Sequence, residues 1–370
     1  MQLVFAMINV MRKKYLVISP NGYGNIGDDI CAYAGKEAIR QADPNAEVRI
    51  TSPPMDEKLV DWADYVILSG GGIIYDRAEK NLENYLQYID VAVEKGKKAA
   101  VLGVGVQGIV TEHGKQRYRE SLEKCEFVSV RTKKDKEMLD EIDFKNAQAT
   151  FDIAFMTPYY VGDITPQHNW LQKRTVKRLR NTLEASTRPK IGICMINLKM
   201  LKRDNYEGVF SKFDEVMAEF IAEAGEHFDV FMIQHAKEDG QQMRQIAKQN
   251  KIPFVPYRDI NDLPLTYDVY SELDLMIGVR LHSIALGIMT ETPTIAIGSL
   301  HAKQKRLIDY ALPSLKKQFY DFTDVERLEK DLKTILKTKK IAQKPASNAD
   351  MKKIDALKFK NVELIKKMIS

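Results

Sequence analysis

Cysteine is scarce in this 370-residue sequence, and its three copies, Cys31, Cys125 and Cys194, stand far apart. No CxxC pair exists to build a metal or redox centre, and a reducing cytoplasm fits such usage. Long apolar runs are missing too. The longest end after about a dozen residues, short of the roughly 18 that a membrane span requires. Nor is there the charge excess of a nucleic-acid binder: the formal +5 is concentrated in residues 331–370, where eleven lysines face four acids, so the first 330 residues sum to about −2. That basic C-terminal segment suits a solvated face, or peripheral contact with anionic lipid at the inner face of a membrane. The opening MQLVFAMINVM precedes the basic MRKK, the wrong order for a secretory signal, and residues 1–13 read as a leader.

What is present is an alternation of short Val/Ile-rich runs with longer segments of helical period, the pattern of βαβ units around parallel sheets. The first series has strands at 15–19, 47–51, 65–69, 98–104 and 127–130, with helices over 28–41 and 81–95. A polar stretch at 161–188, bounded by Pro166 and Pro189 and without clear period, reads as a linker. A second series follows at 190–196, 228–233, 253–256, 273–279 and 293–298, and residues 345–370 form a terminal amphipathic helix. The expected fold is therefore α/β, with two doubly wound Rossmann-like domains (14–160 and 189–340) facing each other across a cleft. Ligands in such folds bind at the carboxyl ends of the strands, so the loops after strands carry the functional candidates.

The first loop, NGYGNIGDD from Asn21 to Asp29, has GxGxxG spacing at Gly22, Gly24 and Gly27. Two features weaken a dinucleotide reading. No acid closes the second strand to hold a ribose, and Asp28 and Asp29 occupy the helix start where a pyrophosphate would sit. A tight turn capped by acids, or substrate hydroxyls positioned by Asn25 or Asp28, remain open. A second loop, Gly70-Gly71-Gly72, leads to Asp76 and exposes bare amides suited to an anion nest. In GVGVQG, Gln107 is a candidate donor beside glycines that keep the cleft floor open. Arg131 ends the next strand, where its guanidinium either grips phosphate or carboxylate or pairs with Asp135 or Glu137. The strongest local constellation is LMIGVRLHS, which runs an apolar strand straight into Arg280, Leu281 and His282 at a helix start, where backbone amides already favour anions. His235, Lys303 and His301 follow other strands of the same half, whereas His113, His168 and His227 read as surface residues.

The ordered succession GNIGDD, SGGGIIYD, GVGVQG, Arg131, Asp152 in TFDIAF, and IGVRLHS resembles the polysaccharide pyruvyl transferase family over about residues 14–310. Thr132 stands where that family tends to have Asp, and Ser299 or Leu300 where a Tyr is usual. The resemblance implies a GT-B-like fold and transfer of a pyruvyl group from phosphoenolpyruvate to a sugar of a glycan or lipid-linked acceptor, with no redox cofactor. It also implies a donor site at Arg131, Arg280, Leu281 and His282. In chemical terms, two arginine forks would hold the phosphate and carboxylate of the donor. His282 would handle one proton and a carboxylate, Asp28 or Asp76, the other. The spacing offers no metal-ligand cluster, so metal independence is expected. The alternatives are a GT-B glycosyltransferase using a nucleotide sugar and a non-catalytic sugar- or anion-binding protein.

Overall fold

A computed structural model describes residues 12–77, 79–196, 207–299 and 302–370; the first eleven residues of the expected leader, together with Leu300 and His301, lie outside them. The strands run in chain order β1 (Lys14–Ile18), β2 (Glu47–Thr51), β3 (Tyr65–Ser69), β4 (Ile74–Tyr75), β5 (Lys98–Val104), β6 (Val106–Gly108), β7 (Val128–Val130), β8 (Ala147–Ala149), β9 (Lys190–Cys194), β10 (Asp229–Ile233), β11 (Phe254–Val255), β12 (Leu275–Gly278), β13 (Thr294–Gly298) and β14 (Phe319–Asp321). They form two six-stranded parallel sheets, ordered β2-β1-β3-β5-β7-β8 and β11-β10-β9-β12-β13-β14, while β4 and β6 pair separately. The short strands β4, β6, β8 and β14, of two or three residues each, are too brief to show a period in sequence.

Successive residues of the central strands alternate between two buried layers, which is why these strands read as unbroken apolar runs. Tyr15 and Val17 of β1 face one layer, and Leu16 and Ile18 the other. In register, Val17 stands opposite both Ile50 and Ile67. The layer containing Val17 continues into the second half through Phe231, Ile233 and Tyr257, so the two domains share part of one core. Burying one such aromatic side chain is worth about 1.5–3 kcal/mol.

One expectation needs correction. The segment 161–188 is not a structureless linker: Trp170–Ala185 is a helix, started by a capping box between Asn169 and Gln172. Only Leu179 and Leu183 of that helix are buried, and so narrow a contact leaves little period to detect. The C-terminal helix, Asn348–Ile369, folds back onto the first domain, with Ile354, Val362, Leu364, Ile365 and Met368 buried. Within it the buried Asn361 accepts from the hydroxyls of Ser129 and Thr150, each at 2.8 Å, and donates to the Phe151 carbonyl. Most of its apolar face is thus taken up by protein, with Met351, Phe359 and Ile369 partly exposed. Among the described residues no helix is long and apolar enough to cross a membrane.

Strand order reverses direction beside β1 in the first sheet and beside β9 in the second, and the loops at these crevices meet. The loop after β1 reaches the loop after β10 through two backbone bonds: the Ile26 amide donates to the His235 carbonyl, and the Lys237 amide to the Gly24 carbonyl, both at 2.8 Å.

Candidate active site

Four segments converge at this junction: the start of the Ile26–Ala42 helix, the strand end at Arg131, the start of the Leu281–Met289 helix and the start of the Lys303–Ala311 helix. Three helix N-termini therefore meet at one region, where their dipoles favour anions, although the first-turn amides of the Ile26–Ala42 helix are already bonded to His235 and Asn25. At its floor lies a buried cluster. The Arg131 Nη1 is 3.0 Å from Asp152 Oδ2, His282 Nε2 is 3.6 Å from the same oxygen, and Cys31 Sγ lies 3.9 Å from Asp152 Oδ1 and 3.8 Å from His282 Nε2. Arg131, Asp152 and Cys31 are each at most 3% exposed.

Electrostatics within this cluster follows from contact and burial. Burial opposes ionisation of Asp152, but His282 and the Arg131 charge outweigh it and hold the carboxyl well below the usual carboxylate range. Burial pulls His282 below its ordinary value, against the pull of Asp152, so the imidazole is neutral at physiological pH. Burial also pushes the Cys31 thiol well up, which keeps it protonated and unsuited to nucleophilic attack. Cys31, Asp152 and His282 bring three possible metal-ligand atoms within 4.8 Å of one another, a grouping hidden in sequence by spacings of over a hundred residues. Within this grouping the Asp152 carboxylate is also paired with Arg131.

The two nitrogens of His282 have different surroundings. Nε2 meets Asp152 and Cys31, and Nδ1 lies where a Cβ on Gly27 would come within 1.9 Å. Gly27 is therefore required by close approach of the ring. His282 thus bridges the first helix and Asp152.

Above this floor stand Asp28 and Lys303. Burial pushes Asp28 up to about 6, and the charge acting on it most strongly is that of Lys303. Lys303 is an exposed residue whose ammonium is pushed down to about 8 by desolvation and by the charge of Arg131. Among the described residues Lys303 makes no ion pair. Arg280 differs: its Nε and Nη2 form a fork on Asp239 at 2.9 Å, and Nη2 also meets Glu238. Both arginine guanidiniums are thus already engaged by carboxylates, which corrects the expectation of two free forks and leaves Lys303 as the uncommitted cation.

Other candidates have structural roles. Asp76 accepts from the Val110 amide and from the amide and hydroxyl of Thr111, all at 2.7–3.0 Å. Although partial burial opposes it, these donors hold its carboxyl below the usual range; Asp76 braces a loop and is no proton carrier. Leu281 is 2% exposed and packs with Phe151, Phe155 and Ile284 in the core, so it is not a ligand contact. Asn25 caps the first helix by accepting from the Gly27 amide at 3.0 Å. His235 is buried, its Nε2 lying 2.7 Å from the Tyr270 hydroxyl, and it does not reach the cleft. The Gly70 amide is bonded to the Leu102 carbonyl at 2.9 Å and the Gly71 amide is directed at the Cys31 thiol, so at least two of the three amides are already engaged. With φ of +57° and +69°, Gly70 and Gly71 fold the chain over Cys31; Gln107 donates to the Gly72 carbonyl. Thr132, at the family's variable position, caps the Lys133–Asp140 helix. His168, read as a surface residue, is half-buried, its Nε2 3.1 Å from Asp262.

Residues 25–301 match the family model described as polysaccharide pyruvyl transferase. A search of curated proteins finds no match. Among solved structures, UDP-GlcNAc 2-epimerase from Methanocaldococcus jannaschii superposes with a TM-score of 0.56 at 11% identity, covering 96% of this chain and 99% of that one. The Neisseria meningitidis UDP-GlcNAc 2-epimerase bound to UDP-GlcNAc gives 0.55 at 10% identity, covering 97% and 98%. At such identity the likeness concerns the fold alone, and that fold is the two-domain, GT-B-like arrangement described above.

Proposed function

The chain belongs to the polysaccharide pyruvyl transferase family, and from that premise we propose that it transfers a pyruvyl group from phosphoenolpyruvate to two hydroxyls of a glycan sugar, forming a ketal and releasing phosphate. The observation that carries this reading is Lys303, a cation with no ion pair among the described residues, opposite Asp28 where three helix starts converge. The donor's phosphate and carboxylate fit Lys303, the helix dipoles and the partly exposed guanidinium of Arg280.

The chemistry balances without oxidant or reductant. A sugar hydroxyl adds to C2 of phosphoenolpyruvate while the methylene carbon gains a proton and becomes a methyl group. Attack by the second hydroxyl then breaks the C2–O bond to phosphate, and the second hydroxyl proton leaves with that group. Asp28, ionised above about pH 6, takes the first hydroxyl proton. Lys303, protonated below about pH 8, is the group placed to supply one to carbon. His282, Asp152 and Arg131 hold the floor in place beneath them.

A nucleotide sugar is the alternative donor for such a fold. Thermal denaturation with each candidate separates the two: phosphoenolpyruvate is expected to raise the melting temperature, and Lys303→Ala to remove that rise. Stabilisation by UDP- or GDP-sugars alone would place the chain with nucleotide-dependent transferases instead.

A further inference from the structure

Helix Trp170–Ala185 has features that the proposed reaction does not use. Its inward line is Gln172, Val176, Leu179 and Leu183, of which Leu179 and Leu183 are buried. At its N-terminal tip Trp170 is 67% and Leu171 64% exposed, among the largest exposed apolar side chains of the described residues. Behind them the outer face carries Lys173, Arg174, Lys177, Arg178 and Arg180, all exposed, and the helix contains a single acid, Glu184. Arg174 lies 5.9 Å from the centre of the Trp170 ring, and among the described residues only Arg180 of the five basic side chains forms an ion pair, with Asp268 at 2.7 Å. The positive field continues beside the helix. A cavity of about 1210 Å³ reaches from it to the Gly22–Gly24 loop at the cleft mouth and is lined by Arg178, Lys237, Arg244, Lys248, Lys251 and Arg258, with no carboxylate residue in its lining.

We propose that this helix docks the protein on an anionic lipid surface, with Trp170 and Leu171 entering the headgroup layer and the basic residues around them meeting lipid phosphates. Charge complementarity selects the partner class, and the size of the apolar patch selects within it. Two neighbouring apolar side chains are far short of the roughly 800 Å² per partner of a stable protein interface. Interfacial anchoring works with a small Trp-containing apolar tip and a polybasic surround. The C-terminal helix, the other lysine-rich segment, has most of its apolar positions buried. Docking by the Trp170–Ala185 helix would turn the cavity leading to the cleft toward the bilayer surface.

The test is flotation of the full chain with vesicles of phosphatidylcholine alone and of phosphatidylcholine mixed with phosphatidylglycerol. Binding to the mixed vesicles is expected at low salt, weakening steeply as ionic strength rises and the screening length shrinks. The variants Trp170→Ser/Leu171→Ser and Arg174→Glu/Lys177→Glu are each expected to lower the partition coefficient about tenfold or more, since each basic residue near an anionic surface contributes on the order of 1 kcal/mol. All four positions are exposed, so melting temperatures should stay at the wild-type value, and Lys352→Glu/Lys360→Glu on the C-terminal helix should bind as wild type does. Absence of wild-type binding, equal binding to both vesicle types, or loss of binding only in the C-terminal variant would overturn the proposal. None of these readouts depends on the identity of the donor.

Discussion

Asp152→Ala is expected to lower the free energy of unfolding by about 3–5 kcal/mol, because it leaves a buried guanidinium without its counter-charge. Arg131 is 3% exposed and its nearest carboxylate is Asp152 at 3.0 Å, so no water replaces the missing partner at low cost. Asp152→Asn keeps an acceptor oxygen for Arg131 and should cost distinctly less. The carboxyl is held below its ordinary 3.8, so the stability it contributes is complete above that value and is lost as the pH falls through the lower, folded-state range. Urea unfolding of the three proteins at neutral pH measures the difference. An Asp152→Ala protein as stable as wild type would mean that the Arg131 site is wetter than described.

Asp28→Asn is expected to reduce kcat about 10²–10⁴-fold, the usual contribution of a positioned proton acceptor, while leaving donor binding largely intact. The pH dependence of kcat/KM carries the distinguishing sign. A base that titrates at about 6 makes activity rise with pH through that value, and an ammonium that titrates at about 8 makes it fall above it. A bell with limbs near those values should therefore describe the wild type. Asp28→Asn should erase the acid limb from its residual activity, and Lys303→Ala the alkaline one. A wild-type profile flat from pH 5 to pH 9 would remove Asp28 and Lys303 from the proton steps. That window brackets the two titrations by about one unit on each side.

The architecture was readable because βαβ folding writes itself into hydrophobic period: β3 and β5 occur within a residue of where Val/Ile-rich runs place them, and so does β12 within its longer run. The Trp170–Ala185 helix escaped because it buries so little that no apolar stripe is selected. Within the site, the loop positions of Asp28, Arg131, Arg280, His282 and Lys303 followed from strand ends alone. What those side chains do depended on partners distant in sequence. Asp152 accompanies Arg131 and His282 across 21 and 130 positions, and Arg280 meets Asp239 across 41, so pairing that neutralises an arginine fork leaves no local mark. Asp76 looked catalytic because an acid after a glycine loop does in one dimension; its acceptors are filled by the Val110–Thr111 turn, which packs beside it only in three. Cys31 carried no motif at all, and only the fold brings it to within 4 Å of His282.

The most direct measurement is incubation of the purified protein with phosphoenolpyruvate and a panel of acceptor glycans, with free phosphate and product mass followed together. One equivalent of phosphate should appear for each acceptor that gains a pyruvate ketal, and Lys303→Ala should lower both signals in step. Phosphate release without a mass gain, or a glycosyl mass gain dependent on a nucleotide sugar, would contradict pyruvyl transfer in this cleft.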